Sequence, residues 1–186
     1  MRLFVAVNPP AAILDEIGAA VARVRELAPR LRWTSTPQWH LTLAFLGEVE
    51  PDALPELTGR LARAARRHEP MPLAFRGAGR FDGRVLWLGV QGGREPLAAL
   101  AGSVAAAARR SGIAIEDRAY RPHLTLARSS TPADLRPLVD ALRDFAGSEW
   151  APTEVELIRS RLGHGPPSYE NAGRWPLGRG LSAVGR

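Results

Sequence analysis

Two copies of one four-residue pattern constrain this chain more than any other feature. His40-Leu41-Thr42-Leu43 and His123-Leu124-Thr125-Leu126 lie at an offset of 83 residues, each inside a short alternating run. Alternate residues of a strand share a face, so each His and its Thr are expected on one side and the Leu residues on the other. Two such strands facing one another place two imidazoles and two hydroxyls in one cleft.

The same offset aligns the residues upstream without a gap. Leu3-Phe4-Val5-Ala6-Val7 falls on Leu86-Trp87-Leu88-Gly89-Val90, and Leu14, Ile17, Val21 and Val24 fall on Leu97, Leu100, Val104 and Ala107. Residues 3–46 and 86–129 therefore read as two copies of strand, helix and motif strand. A repeat of this length is too long for a solenoid and predicts two lobes related by a pseudo-two-fold. No linker separates them, so residues 1–186 are read as a single bilobal domain.

Around the repeat, the pattern predicts an α+β fold of mostly antiparallel strands. Residues 2–8 read as a strand stopped by Asn8-Pro9-Pro10, and apolar residues 13, 14, 17, 21, 24 and 27 predict a helix to about Ala28. A short strand at 32–34 precedes the first motif strand, 39–46. A helix follows from Pro51 to about His68. Asp82-Gly83 between two apolar runs predicts a type I′ hairpin joining 72–81 to 84–91. A helix at 95–110 and a short strand at 113–115 lead to the second motif strand, 122–128. Thr131 to Phe145 reads as a helix and 155–160 as a strand. Residues 163–169, with His164, read as a loop before a short strand at 174–177.

Composition excludes several chemistries. There is no Cys, so disulfides, zinc-thiolate sites and thiol catalysis are out. No apolar run approaches the length of a membrane span, and the apolar start is too short for a signal segment, so a cytoplasmic, non-membrane protein is expected. The net charge is +6, and all 25 basic residues are Arg. That charge permits an RNA or nucleotide partner, Arg being a planar fork of phosphate donors.

Histidine is thus the acid–base resource. Two imidazoles near neutrality can hold opposite protonation states, one removing a proton from a nucleophile and one donating to a leaving oxygen. Threonine hydroxyls beside them can bond non-bridging phosphate oxygens. Two His on separate strands with no neighbouring carboxylate or third His lack a usual metal ligand set. No Gly-x-Ser-x-Gly elbow, Walker loop or Gly-x-Gly-x-x-Gly run occurs. The bland alternative is two half-buried strand histidines satisfied by backbone.

The two His-Leu-Thr-Leu motifs, Phe45-Leu46-Gly47 after the first and Arg121-Pro122 before the second resemble the 2H phosphoesterase superfamily. Within it the resemblance is to the RNA 2′,3′-cyclic phosphodiesterase, or 2′-5′ RNA ligase, family. Arg2 to Val7, Val85 to Val90, Ser160-Arg161-Leu162, Gly165-Pro166 and Tyr169 extend it over nearly the whole chain. The resemblance implies two pseudo-symmetric lobes of antiparallel sheet with flanking helices around a central cleft. It also implies hydrolysis of RNA 2′,3′-cyclic phosphate ends to 2′-phosphates with no metal or cofactor, and reversible 2′-5′ ligation. His40 would be the proton donor, His123 the proton acceptor, and Thr42 and Thr125 would hold the phosphate. The order of acid and base stays open, because a pseudo-symmetric site can run either way.

Arg121, Arg128 and Tyr120 flank the second motif and are candidate substrate contacts. Simple alternation from His123 points both arginines away from the cleft. Tyr120 and Trp33 are candidates to stack a base, with core packing as the alternative. His68 and the arginines at 63–67 and 109–110 read as solvated helix ends. The expected partners are RNA ends or small cyclic nucleotides, and a self-contained cleft suits a monomer. The competing reading is a nucleotide- or RNA-binding module of the same fold without catalysis, or a phosphodiesterase for a small cyclic nucleotide.

Overall fold

A computed structural model describes residues 1–161, 163 and 167–178. The chain runs β1 (Arg2–Val7), α1 (Ala11–Val24), β2 (Arg32–Trp33), β3 (Leu41–Glu48), α2 (Leu54–Ala65), β4 (Leu73–Phe81), β5 (Val85–Gly92), α3 (Arg94–Arg110), β6 (His123–Arg128), α4 (Arg136–Ala141), β7 (Glu154–Arg161) and β8 (Ser168–Pro176). Two four-stranded antiparallel sheets form, in the orders β3-β1-β7-β8 and β2-β6-β5-β4. The repeat is visible in them: β1–α1–β3 and β5–α3–β6 each place the motif strand antiparallel to the strand that opens the copy.

Each sheet buries one face under helices. Leu3, Val5 and Val7 of β1 join Ile13, Ile17, Val21 and Val24 of α1 in the main core, and Leu86, Leu88, Leu97, Leu100 and Val104 do the same in the second copy. The other face of β1 carries Phe4 and Ala6, which pack with Ile158 and Tyr169 in a small separate cluster. β1 is therefore apolar on both sides, as a central strand must be when neither face meets water. The halves interlock, since α3 from the second copy packs on α2 and on β3 of the first sheet.

Local chemistry explains the joints. Asp82 and Gly83 both take positive φ (48° and 63°), and Arg84 N–H donates to the Phe81 carbonyl at 2.8 Å. This is the type I′ turn that the right-handed twist of two strands selects. β4 and β5 pair on either side of it.

Four expectations change. After Val24 the first helix tightens into a 3₁₀ turn over Arg25–Leu27, and Leu27 is 62% exposed. Tighter winding rotates that side chain off the core stripe. Residues 113–115 form no strand, because they end α3. Gly112 takes a φ of 77°, its N–H bonds the Arg109 carbonyl, and Ile113 N–H reaches back to Ala108. Ile113 is buried there as the apolar member of a Schellman cap. The helix expected from Thr131 shrinks to α4, preceded by Asp134, whose carboxylate accepts from the Arg136 backbone N–H. The final strand is longer than expected, β8 pairing along β7 from Ser168. His164 and the residues around it fall outside those described.

Candidate active site

Each motif histidine is carried by the same local device. A 3₁₀ turn at Thr36–Gln38, closed by a Ser35–Gln38 capping box, leads through Trp39 to His40 at the mouth of β3. The Gln38 backbone beside the His40 ring favours its charged form. Arg121-Pro122 leads likewise to His123 at the start of β6, and His123 Nδ1 lies 2.8 Å from the Arg121 carbonyl oxygen. A carbonyl only accepts, so Nδ1 carries the hydrogen and Nε2 keeps its lone pair.

The rings rest on aromatic floors. His40 stacks on Phe4 at a centroid distance of 4.7 Å, and Tyr169 meets both edge-on, at 5.5 and 5.2 Å. His123 meets the edge of Phe81 at 5.0 Å and lies 6.2 Å from Trp87. The repeat makes Phe4 and Trp87 equivalent positions. The larger indole is accommodated because Gly79 pairs opposite it; a Cβ there would fall 2.2 Å from the ring.

Both motif strands contain a β-bulge at the same place in the repeat. Val5 pairs with Ala44 and Ala6 with Thr42, leaving Leu43 extra; Leu86 pairs with Ala127 and Trp87 with Thr125, leaving Leu126 extra. Leu43 and Ala44 are both buried, as are Leu126 and Ala127, so alternation slips by one residue. Phe45 and Arg128, which simple alternation directs away from the cleft, are instead turned to the side of the histidines. Phe45 lies 6.1 Å from Phe4 and is 53% exposed. The Arg128 guanidinium bears on His40, His123 and Tyr169.

These surroundings set the protonation. Burial, then the Arg128 charge, then His123 push His40 down to about 4, against the stabilising Gln38 backbone. Burial also lowers His123, with Arg128 and Arg118 adding to it and the Arg121 carbonyl opposing. Both rings are therefore neutral in the empty cleft at pH 7, and an arriving anion would restore their basicity. Among the described residues, no group of three or more His, Asp or Glu side chains comes together.

The structure therefore gathers His40, His123, Thr42, Thr125 and Arg128, with β3 and β6 in contact across the two sheets. Arg121 contributes its carbonyl, while its side chain is exposed. Tyr120 packs against the main core, its hydroxyl buried without a partner among the described residues, and burial pushes its pKa up. Trp33 also packs there and donates to the Ala28 carbonyl at 3.0 Å. His68 bonds Ser103 at 2.8 Å in a groove of about 510 Å³ beside Arg67 and Arg110, which contains neither motif. Reading the motifs alone misses Phe4, Phe45, Phe81 and Trp87. The repeat offset held a signal for three of them, since it sets Phe4 against Trp87 and Phe45 against Arg128.

Comparisons with known proteins find relatives over most of the chain. A family model described as the 2′-5′ RNA ligase superfamily matches residues 9–164. The RNA 2′,3′-cyclic phosphodiesterase of Escherichia coli (strain K12) is 34% identical over 183 residues, covering 95% of this chain and 96% of that one. A Geobacillus stearothermophilus relative of the same name is 31% identical over 156 residues, which span 80% of this chain but only 48% of that longer protein. The crystal structure of E. coli LigT in apo form superposes with a TM-score of 0.79 at 31% identity, covering 96% of this chain and 98% of that one. LigT complexed with 3′-AMP gives 0.77 at 30% identity with the same coverage.

Proposed function

This chain belongs to the 2′-5′ RNA ligase superfamily, and we propose that its cleft hydrolyses RNA 2′,3′-cyclic phosphate ends to 2′-phosphomonoesters. The observation that carries the reading is the pair of imidazoles on the two motif strands, His123 tied through Nδ1 to the Arg121 carbonyl, with Arg128 acting on both rings. That arrangement leaves His123 Nε2 for chemistry and supplies one fixed positive charge for the phosphate.

The step balances with groups of this chain. His123 Nε2 takes a proton from water as the oxygen attacks phosphorus. The P–O3′ bond breaks, and the departing O3′ receives a proton from the His40 imidazolium. Thr42, Thr125 and Arg128 hold the non-bridging oxygens, whose charge grows in the transition state. His40 is neutral in the empty site, so the bound phosphate anion must raise its pKa before it can donate. The reaction as written takes its positive charge from Arg128 and the imidazolium. With a ribose 5′-hydroxyl in place of water, the same attack and P–O3′ cleavage would form a 2′-5′ linkage, and water at high concentration favours hydrolysis.

The test is an oligoribonucleotide ending in a 2′,3′-cyclic phosphate, incubated in EDTA, with the phosphate position of the product identified. A 2′-phosphate supports the reaction, the leaving group and metal independence together. A 3′-phosphate would reverse the leaving group, and binding without turnover would favour a nucleotide-binding module.

No helix is long and apolar enough to cross a membrane among the described residues. A monomeric cytoplasmic enzyme is the setting we propose, since RNA ends are formed there and both motifs lie on one chain. One folding unit is proposed for the two halves, because α3 of one covers β3 of the other and a single core runs through both.

A further inference from the structure

Thr34 belongs to neither motif, yet it joins the second motif strand to Trp39, the residue before His40. Its backbone N–H donates to the Leu126 carbonyl at 2.9 Å. Its hydroxyl lies 2.9 Å from the Thr125 carbonyl and 2.8 Å from the Leu126 carbonyl. The buried Trp39 indole, adjacent in sequence to His40, donates to that same hydroxyl oxygen at 2.8 Å. One threonine hydroxyl thus uses its proton and a lone pair at once, which valine could not do.

The location of these bonds gives them their meaning. In a regular strand successive carbonyls point to opposite neighbours. Here consecutive carbonyls of β6 face one hydroxyl, and they flank the bulge that turns Arg128 toward the histidines. β2 brings Thr34 to that edge by crossing from the first sheet's connection to pair with β6 at Arg32 and Trp33. The equivalent bulge at Leu43 lies on β3, which is an edge strand with no neighbour on its outer side. Among the described residues, only the half that bears the arginine carries this clasp.

We propose that Thr34, backed by Trp39, is a positioning residue: it holds the Leu126 bulge and so aims Arg128 at the bound phosphate, tying the approach to His40 to the same point. The proposal rests on the cleft being the phosphate site. A residue that merely stabilised the fold would lower the melting temperature without a selective effect on phosphate.

The experiment compares wild type, Thr34→Val, Thr34→Ser and Trp39→Phe, each alone and with Arg128→Ala. It reads kcat/KM on the cyclic-phosphate oligonucleotide and the affinity for inorganic phosphate by calorimetry. Thr34→Val should lower kcat/KM and weaken phosphate about tenfold, the scale of one hydrogen bond near a charged group. Thr34→Ser should recover most of the loss. In the Arg128→Ala background Thr34→Val should have little further effect, because both act through one guanidinium. Wild-type values in Thr34→Val, or a loss that adds fully to that of Arg128→Ala, would overturn the clasp. If Thr34→Val does not fold, Trp39→Phe gives the same reading with the hydroxyl intact. Should the wild type bind phosphate but turn over no cyclic substrate, the proposed reaction falls while the clasp is still decided by phosphate affinity. Failure of the wild type to bind phosphate overturns both.

Discussion

The two halves of the cleft share a backbone and differ in chemistry. His40 and His123, Thr42 and Thr125, and the bulges at Leu43 and Leu126 occupy equivalent positions. At the next cleft-facing position one half presents Phe45, an exposed aromatic face, and the other Arg128, a fixed positive charge. The floors differ too: Phe4 packs with Ile158 and Tyr169, whereas Trp87 lies over Gly79. A pseudo-symmetric scaffold thus yields an asymmetric site: the second half supplies the charge that acts on both imidazoles, and the first half supplies an apolar wall. The difference teaches that the repeat positions groups and that a few side chains assign their work.

The sharpest way to break the comparison is to remove each imidazole in turn. His40→Ala and His123→Ala should each lower kcat by about 10³-fold, within the range of general acid–base catalysis, while a 2′-phosphate product still binds. Titration isotherms and single-turnover assays on both variants check it. Wild-type turnover in the double variant would remove both histidines from the reaction.

Acid separates the histidines next. A His whose folded pKa is depressed takes up fewer protons folded than unfolded, so stability is full above the unfolded value near 6.5 and is lost as pH falls toward 4. A drop from 6.5 to about 4 at His40 corresponds to a loss of up to about 3 kcal/mol. Urea unfolding between pH 7.5 and 4.5 should show this acid limb, and His40→Gln should flatten it.

Arg128 and Phe45 come third. Arg128→Ala should cost about 10² in kcat/KM, because it removes the fixed charge beside both imidazoles. Phe45→Ala should change KM by a few-fold on the scale of a single stacking contact and leave kcat near wild type. Equal effects from the two substitutions would erase the asymmetry. The smallest expected difference is in folding: tryptophan fluorescence and far-UV dichroism should report one coincident urea transition, as a single unit requires.

Much of this was legible in the order of residues. Period-two alternation at 39–46 and 122–128, the Asp82-Gly83 turn and the capped helices are local, set by residues within a few positions of each other. Legibility failed where a local rule met a distant partner. Alternation pointed Arg128 outward because a bulge adds its extra residue only when a neighbouring strand sets the register. Residues 113–115 looked like a strand because their apolar character serves a helix cap as well.

By itself, then, the sequence determined the repeat, the two motif strands and the pair of histidines they carry, because strand periodicity and residue chemistry are properties of short stretches. Only the tertiary structure decided which half carries the usable charge, that Thr34 ties the second motif strand to Trp39 beside His40, and how far burial holds each imidazole neutral. Those depend on sheet register, on β2 crossing to the second sheet, and on desolvation by residues remote in the chain.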